Sequence, residues 1–144
     1  MALKIGAGRF GLWYVQVHWS ENTVYRIRFS RTGEEAAIPP SIRMYLSGKT
    51  RDIEMESVAT QGMSTFAQIY REVKRVPYAK TATYGEIART VGTGPRVVGI
   101  AMARNPTPLV IPCHRIVGSR SLGGFTPDLT LKSALLDLER GYEE

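Results

Sequence analysis

Apolar and polar positions follow two regimes along the chain, changing near Ser64. Before it the period is two. Phe10 to Val17 alternates, with Leu12, Tyr14 and Gln16 set against Trp13, Val15 and Val17, and Val24-Tyr25-Arg26-Ile27-Arg28-Phe29 alternates again. Alternation places successive side chains on opposite faces of a strand. Glu21-Asn22-Thr23 is a short turn between the two runs, which predicts an antiparallel hairpin. Pro39-Pro40-Ser41 then opens a short helix, Ile42 to Leu46, stopped by Gly48. Asp52 to Val58 is a further strand or an extended connection.

From Ser64 the period becomes helical. Ser64 is a good N-cap, and Phe66, Ile69, Tyr70 and Val73 recur on one face up to Val76-Pro77, where the helix ends. Thr83 and Glu86 have capping-box spacing for a helix running to Val91. Gly92-Thr93-Gly94-Pro95 is a tight turn, and Arg96 to Arg104 is a second short helix ended by Asn105-Pro106. Two short helices around a glycine-containing turn form a helix-turn-helix pattern, or else an ordinary αα corner. Small residues on the second helix (Gly99, Ala101, Ala103) let its backbone approach a partner closely.

Leu109 to Val117 is apolar at both ends and reads as a buried strand broken by Pro112, with Cys113 and His114 at a chain reversal. Gly118 to Pro127 is a glycine-rich loop, either a connector or a cover closing over a pocket. Leu129, Leu131, Leu135, Leu136 and Leu138 give a last helix its apolar face. Glu139 lies near its end, where a carboxylate opposes the helix dipole and needs solvent or a dedicated cationic or N–H partner. The expected architecture is a small α/β N-terminal domain over residues 1–60, an antiparallel sheet plus a helix. A mainly α, winged-helix-like domain carrying the helix-turn-helix follows over residues 61–144.

A chain of 144 residues buries about 70% of its unfolded surface and needs no covalent staple. The net charge of +6 is unevenly spread. Between Gln61 and Arg120 nine basic residues face only Glu72 and Glu86, a balance of +7 concentrated around the helix-turn-helix. That distribution favours a nucleic-acid partner over a merely solvated basic face. One cysteine allows no internal disulfide, and His18 and His114 are the only imidazoles, so no metal site is expected. His18 reads as a structural or surface residue. No apolar run is long enough for a membrane span and no secretory signal pattern opens the chain, so a cytoplasmic location is expected.

A lone cysteine is ordinarily a small buried hydrophobe. Cys113 has a histidine beside it, basic surroundings that favour thiolate, and Glu139 as a candidate to orient the histidine. Residue chemistry alone leaves both readings open, because adjacent side chains in extended structure point apart.

Pro112-Cys113-His114-Arg115, preceded by Asn105-Pro106 and the helix-turn-helix, resembles the active-site signature of the O6-alkylguanine-DNA alkyltransferases. The resemblance runs from Ser64 to Gly141 and includes Val76-Pro77-Tyr78, the Tyr84 helix, Arg96, Ile111 to Val117 and the final Leu-Leu-Asp-Leu-Glu-Arg-Gly. The first third matches as a short variant of the family's α/β domain. The resemblance implies stoichiometric transfer of an alkyl group from guanine O6 in double-stranded DNA to Cys113, by a monomer and without a cofactor. His114 would take the thiol proton through a water, and Glu139 would hold the histidine tautomer. Asn105 would link the recognition helix to the active-site turn, and Tyr84 would crowd the target phosphate and assist leaving-group protonation. Arg96 would replace the extruded base, with Gly99 and Ala103 on the helix face against DNA. Ile116, Phe125, Thr126 and Met102 would form the base pocket, although a core role for Met102 is equally open.

The chain departs from the family in three places. Zinc ligands that some members carry in the N-terminal domain have no counterparts. Phe125 stands where some have tyrosine, and Pro127 where some have glycine, which narrows the pocket against bulky adducts. Relatives that bind damage without transfer carry tryptophan in place of the cysteine. Such a damage-binding module and a cysteine hydrolase are the two alternative readings, and Arg115 is open between a DNA contact and an ion pair.

Overall fold

The computed structural model describes residues 2–143. Three antiparallel strands, β1 (Lys4–Phe10), β2 (Trp13–Ser20) and β3 (Thr23–Ser30), are joined by β4 (Glu56–Ser57), which lies parallel to β3. The hairpin after Ser20 stands where the alternation placed it. The run from Phe10 to Val17 is not one strand, because the chain reverses at Gly11-Leu12. Gly11 takes φ +58° and Leu12 is 69% exposed, so an apolar residue that continued the alternation sits instead at a hairpin tip. The strand preceding Gly11 lacked a pattern to find, since its inward positions include Gly6 and Gly8. A Cβ on Gly6 would stand 1.8 Å from the Ala37 carbonyl oxygen, where a later segment crosses β1.

The alternation in β3 also needs correction. His18 pairs with Arg26 and Trp19 with Val24, so Tyr25 is an extra residue in the ladder. This bulge shifts the phase by one, and Val24 and Ile27 both become buried although three positions apart. With Val15 and Val17 they form the inner face of the sheet. Against it pack Ile42, Tyr45 and Leu46 of α1 (Pro40–Leu46), which has Pro40 at its first turn as expected. Leu131 and Leu135 of α5 (Leu129–Glu143) join the same cluster.

The second cluster lies among α2 (Thr65–Val73), α3 (Tyr84–Val91) and α4 (Pro95–Ala103). Ser64 caps α2 by accepting from the Ala67 amide, and Thr83 and Glu86 form the full capping box of α3. Each such cap contributes about 1 kcal/mol. Gly92 ends α3 at φ +88°, a left-handed cap that frees the turn into α4. Tyr70 donates to the Ala101 carbonyl at 2.8 Å and ties α2 across to α4. A short parallel pair, β5 (Ala82–Thr83) and β6 (Ile116–Val117), brings the chain after Cys113 alongside the start of α3.

The segment from Leu109 to Val117 is not the interrupted strand that its hydrophobicity suggests. Leu109 and Val110 form a turn, with Leu109 at φ +79°, Cys113–Arg115 form one turn of 3-10 helix, and apart from an isolated bridge between Pro108 and Ile111 strand pairing begins at Ile116. Local hydrogen bonds account for the difference. The Ile111 amide donates to Thr107, its carbonyl accepts from Asn105 Nδ2, and the Cys113 amide folds back onto the Ile111 carbonyl. Bonds made within the segment replace those of a ladder, and the apolar residues are buried by both clusters at once: Leu109 and Val110 by the first, Ile111 and Ile116 by the second.

Candidate active site

Cys113 stands on the wall of a cavity of about 920 Å³, a volume suited to a ligand with several rings. One wall comes from β3, at Arg26 to Phe29, and another from the end of α4 and the segment after it, at Met102 to Pro106. Tyr84 and the loop from Gly123 to Pro127 complete it. The Ile27 amide donates to the Pro106 carbonyl at 2.8 Å, which fixes the sheet against the segment that follows α4. The glycine-rich loop therefore covers a pocket. Gly123 takes φ +78°, and a Cβ there would meet the Tyr84 hydroxyl at 2.6 Å, so the loop passes close over that ring.

The 3-10 turn sets Cys113 on the cavity wall and His114 in the interior. His114 is fully buried and directs Nε2 to Glu139 Oε2 at 2.6 Å. Glu139 is fully buried as well and is the acceptor at the centre of a network. Arg115 donates to it through Nε at 3.0 Å and Nη2 at 2.9 Å, the Ala79 amide at 2.9 Å and the Tyr45 hydroxyl at 2.5 Å. This answers what a carboxylate near a helix C-terminus does there: four donors outweigh the unfavourable dipole. Burial works to raise the Glu139 pKa, and the hydrogen bonds from His114 and Arg115 overcome it, holding the carboxyl well below the usual range. An ionised Glu139 accepts the Nε2 proton, so Nδ1 of the ring keeps its lone pair. Nδ1 is buried and has no protein hydrogen-bond partner among the described residues.

Burial lowers the His114 pKa from its ordinary value, against the pull of Glu139. Burial also pushes the Cys113 thiol up to about 11, offset in part by the Asn105 side chain and the Lys132 charge. The basic surroundings that favour a thiolate in the sequence are thus overridden by desolvation, and the resting pair is a thiol beside a neutral imidazole.

Asn105 follows α4 and bonds to the segment before Cys113: Nδ2 donates to the Ile111 carbonyl at 2.9 Å and Oδ1 accepts from the Thr107 amide at 3.0 Å. Tyr84, Gly99, Met102, Ala103, Phe125 and Thr126 line the cavity, and Met102 also packs on the second cluster. Ile116 does not line it; its side chain is fully buried in the second cluster. Arg96 is exposed at the start of α4, outside the cavity. Arg115 is an ion-pair residue, with its Nη1 on the Val76 carbonyl at 2.8 Å. Three other basic residues of the charged stretch are engaged locally: Arg71 with the carbonyls of Thr60 and Gly62, Lys74 with Glu56, and Arg75 with Glu72. Among the described residues no group of three His, Cys, Asp or Glu stands ready to hold a metal ion, and no helix is long and apolar enough to cross a membrane.

Two buried residues of the site escaped sequence reasoning. Tyr45 falls within the short helix expected from Ile42 to Leu46, and nothing nearby marked its hydroxyl. Lys132 had a visible signal: with Glu139 it interrupts the stripe formed by Leu131, Leu135 and Leu136, where a charge has no place unless it has a partner.

Residues 64–141 match the family model of the 6-O-methylguanine DNA methyltransferase DNA-binding domain. A methylated-DNA–protein-cysteine methyltransferase of Metallosphaera sedula is 41% identical over 95 residues, which cover 66% of this chain and 61% of that protein. The protein of the same name from Sulfolobus acidocaldarius is 42% identical over 96 residues, again 66% and 61%. The matched region thus spans about three fifths of each relative. Among solved structures, the Mycobacterium tuberculosis O6-methylguanine methyltransferase superposes with a TM-score of 0.82 at 23% identity, over 98% of this chain and 94% of that one. An O6-methylguanine DNA methyltransferase from Methanococcus jannaschii gives 0.62 at 28% identity, over 93% and 92%.

Proposed function

Because this chain belongs to the 6-O-methylguanine DNA methyltransferase family, we propose that it repairs DNA directly, moving an alkyl group from guanine O6 to Cys113 in a single turnover. The observation that carries this reading is the neutral His114 beside Cys113, locked through Nε2 onto Glu139 and keeping a buried, unpartnered Nδ1, at the wall of a cavity that opens beside α4. O6 lies within the stacked duplex, so the modified nucleotide must rotate out to reach the thiol, at a cost of a few kcal/mol. Arg96, exposed at the start of α4, takes the place of the extruded base, while Gly99 and Ala103 let the helix backbone lie close to the groove.

In the transfer, the Cys113 proton passes through a water to His114 Nδ1, and the sulfur attacks the alkyl carbon. The Sγ–C bond forms as the C–O6 bond breaks, and its electron pair leaves with guanine, which ends protonated with the help of the Tyr84 hydroxyl. The thiol proton is in effect exchanged for the alkyl group, so the protein ends as an S-alkyl cysteine without turnover. The chemistry calls for no cofactor, and a monomer suffices.

Intact mass after incubation with an O6-methylguanine duplex tests the reading. One methyl group should be added per chain, at Cys113, and a second equivalent of substrate should remain untouched. Duplex binding without any gain in mass would instead identify a damage-binding module, and sustained turnover on an ester would identify a hydrolase.

A further inference from the structure

Three arginines on the cavity rim are left unused by the transfer chemistry above. Arg26 and Arg28 come from β3 and Arg104 follows α4; all three line the cavity and all three are exposed. Among the described residues none of their guanidinium groups has a hydrogen bond or an ion pair. The cavity lining offers them no Asp or Glu. Neither does the sheet around them: β1, β2 and β3 hold Lys4, Arg9, Arg26 and Arg28 and no acidic residue. Like charges gathered on one rim repel one another, so the arrangement calls for an anion.

The backbone holds these side chains together. Ile27, between Arg26 and Arg28, donates its amide to the Pro106 carbonyl at 2.8 Å, two residues past Arg104. The Ile27 side chain turns into the first cluster, and alternation turns its two neighbours to the opposite face. Two guanidinium groups from the sheet are thereby fixed beside the end of α4.

That helix decides which anion. Its nine residues make a rod about 13 Å long, so when α4 is seated in a DNA groove about 6–12 Å wide its last turn meets the phosphates that border the groove. Guanidinium groups match phosphate oxygens with paired N–H donors. We propose that Arg26 and Arg28, together with Arg104, grip the sugar-phosphate backbone of the duplex beyond the end of α4, so that the N-terminal sheet is part of the DNA interface. The inference rests on the transfer reading, which seats α4 against the groove. Arg96 works at one end of the helix and the three arginines at the other. Such contacts set affinity and orientation without reading bases.

Binding of an unmodified duplex, followed by anisotropy over a salt series, tests the proposal. Each phosphate contact contributes about 0.9 to the slope of log affinity against log salt. Replacing both sheet residues, Arg26→Gln with Arg28→Gln, should lower that slope by about two and weaken binding about tenfold, and Arg104→Gln should lower it by about one. Lys4→Gln removes an exposed charge on β1, away from the cavity, and should leave the slope unchanged. A single neutral methylphosphonate linkage, moved along each strand, should weaken the wild-type complex at one or two positions where it costs the double variant nothing.

An unchanged slope in the double variant, or a change that Lys4→Gln reproduces, overturns the proposal. So do methylphosphonate costs that are equal in wild type and double variant at every linkage. A wild-type protein that binds the duplex yet takes no methyl from O6-methylguanine overturns the transfer reading instead, and leaves the salt comparison intact.

Discussion

Glu139 Oε2 lies 2.6 Å from His114 Nε2, and this contact fixes the direction in which the imidazole works. With Nε2 committed as a donor, only Nδ1 is left to accept a proton. Glu139→Gln keeps the shape but removes the charge that selects this tautomer. Single-turnover methyl transfer should fall about 10²-fold, while duplex affinity by fluorescence anisotropy stays within about twofold, since Glu139 is far from solvent. Equal losses in rate and affinity would show that Glu139 shapes the DNA-binding surface instead.

The pH dependence follows from the same pair. His114 acts as a base only while neutral, and its pKa is lowered from the ordinary 6.5. The transfer rate should therefore be level through neutral pH and decline only below 6.5. Stability should move the same way. Both His114 and Glu139 have depressed folded values, so the unfolded chain binds more protons in acid. Folding free energy should drop as pH falls below 6.5, where unfolded histidine protonates, and further below 4.5, where unfolded glutamate does. Denaturant midpoints measured between neutrality and acid check the sign; a midpoint that rises on acidification would contradict it.

Arg115→Ala should cost about 3–5 kcal/mol in urea unfolding, because it leaves Glu139 buried with part of its partners gone. Duplex affinity of the folded fraction should change little. A loss of affinity with intact stability would return Arg115 to the DNA surface.

Arg96→Ala should slow extrusion of the target base more than it weakens duplex binding. A 2-aminopurine placed beside the modified guanine reports extrusion, and anisotropy reports affinity. Equal effects on the two would mark Arg96 as a phosphate contact.

Gly123→Ala places a side chain at φ +78° and drives it toward the Tyr84 hydroxyl. About 1–3 kcal/mol of strain is expected, relieved by displacement of the loop, so the loss should appear in transfer rate at saturating DNA. A loss confined to thermal stability would show that the loop wall is not part of the pocket.

Much of the helical half was legible in the sequence because its signals are local. Ser64 and Thr83 with Glu86 act within one turn of themselves and cap α2 and α3 where the spacing put them, while of the expected turn Gly92 to Pro95 the last residue belongs to the first turn of α4. Cys113, His114 and Glu139 were legible as candidates through their residue types, with a buried structural cysteine left open beside them, and Asn105 joined them only through the family resemblance. What the sequence could not determine depended on contacts between distant segments or on desolvation. The bulge at Tyr25, which turns Val24 and Ile27 to one face, exists because the sheet has helices to pack against. The turn at Leu109 to Arg115 overrides a strand-like run because Asn105 and Thr107 supply its hydrogen bonds and two cores bury its side chains. Basic composition suggested a thiolate at Cys113, whereas burial keeps a thiol and a neutral His114, since removing a charge from water outweighs remote positive charges. Chemistry-bearing residues were thus named by the chain itself; their protonation, and the recruitment of Tyr45 and Lys132 around them, were decided only when folding enclosed them together.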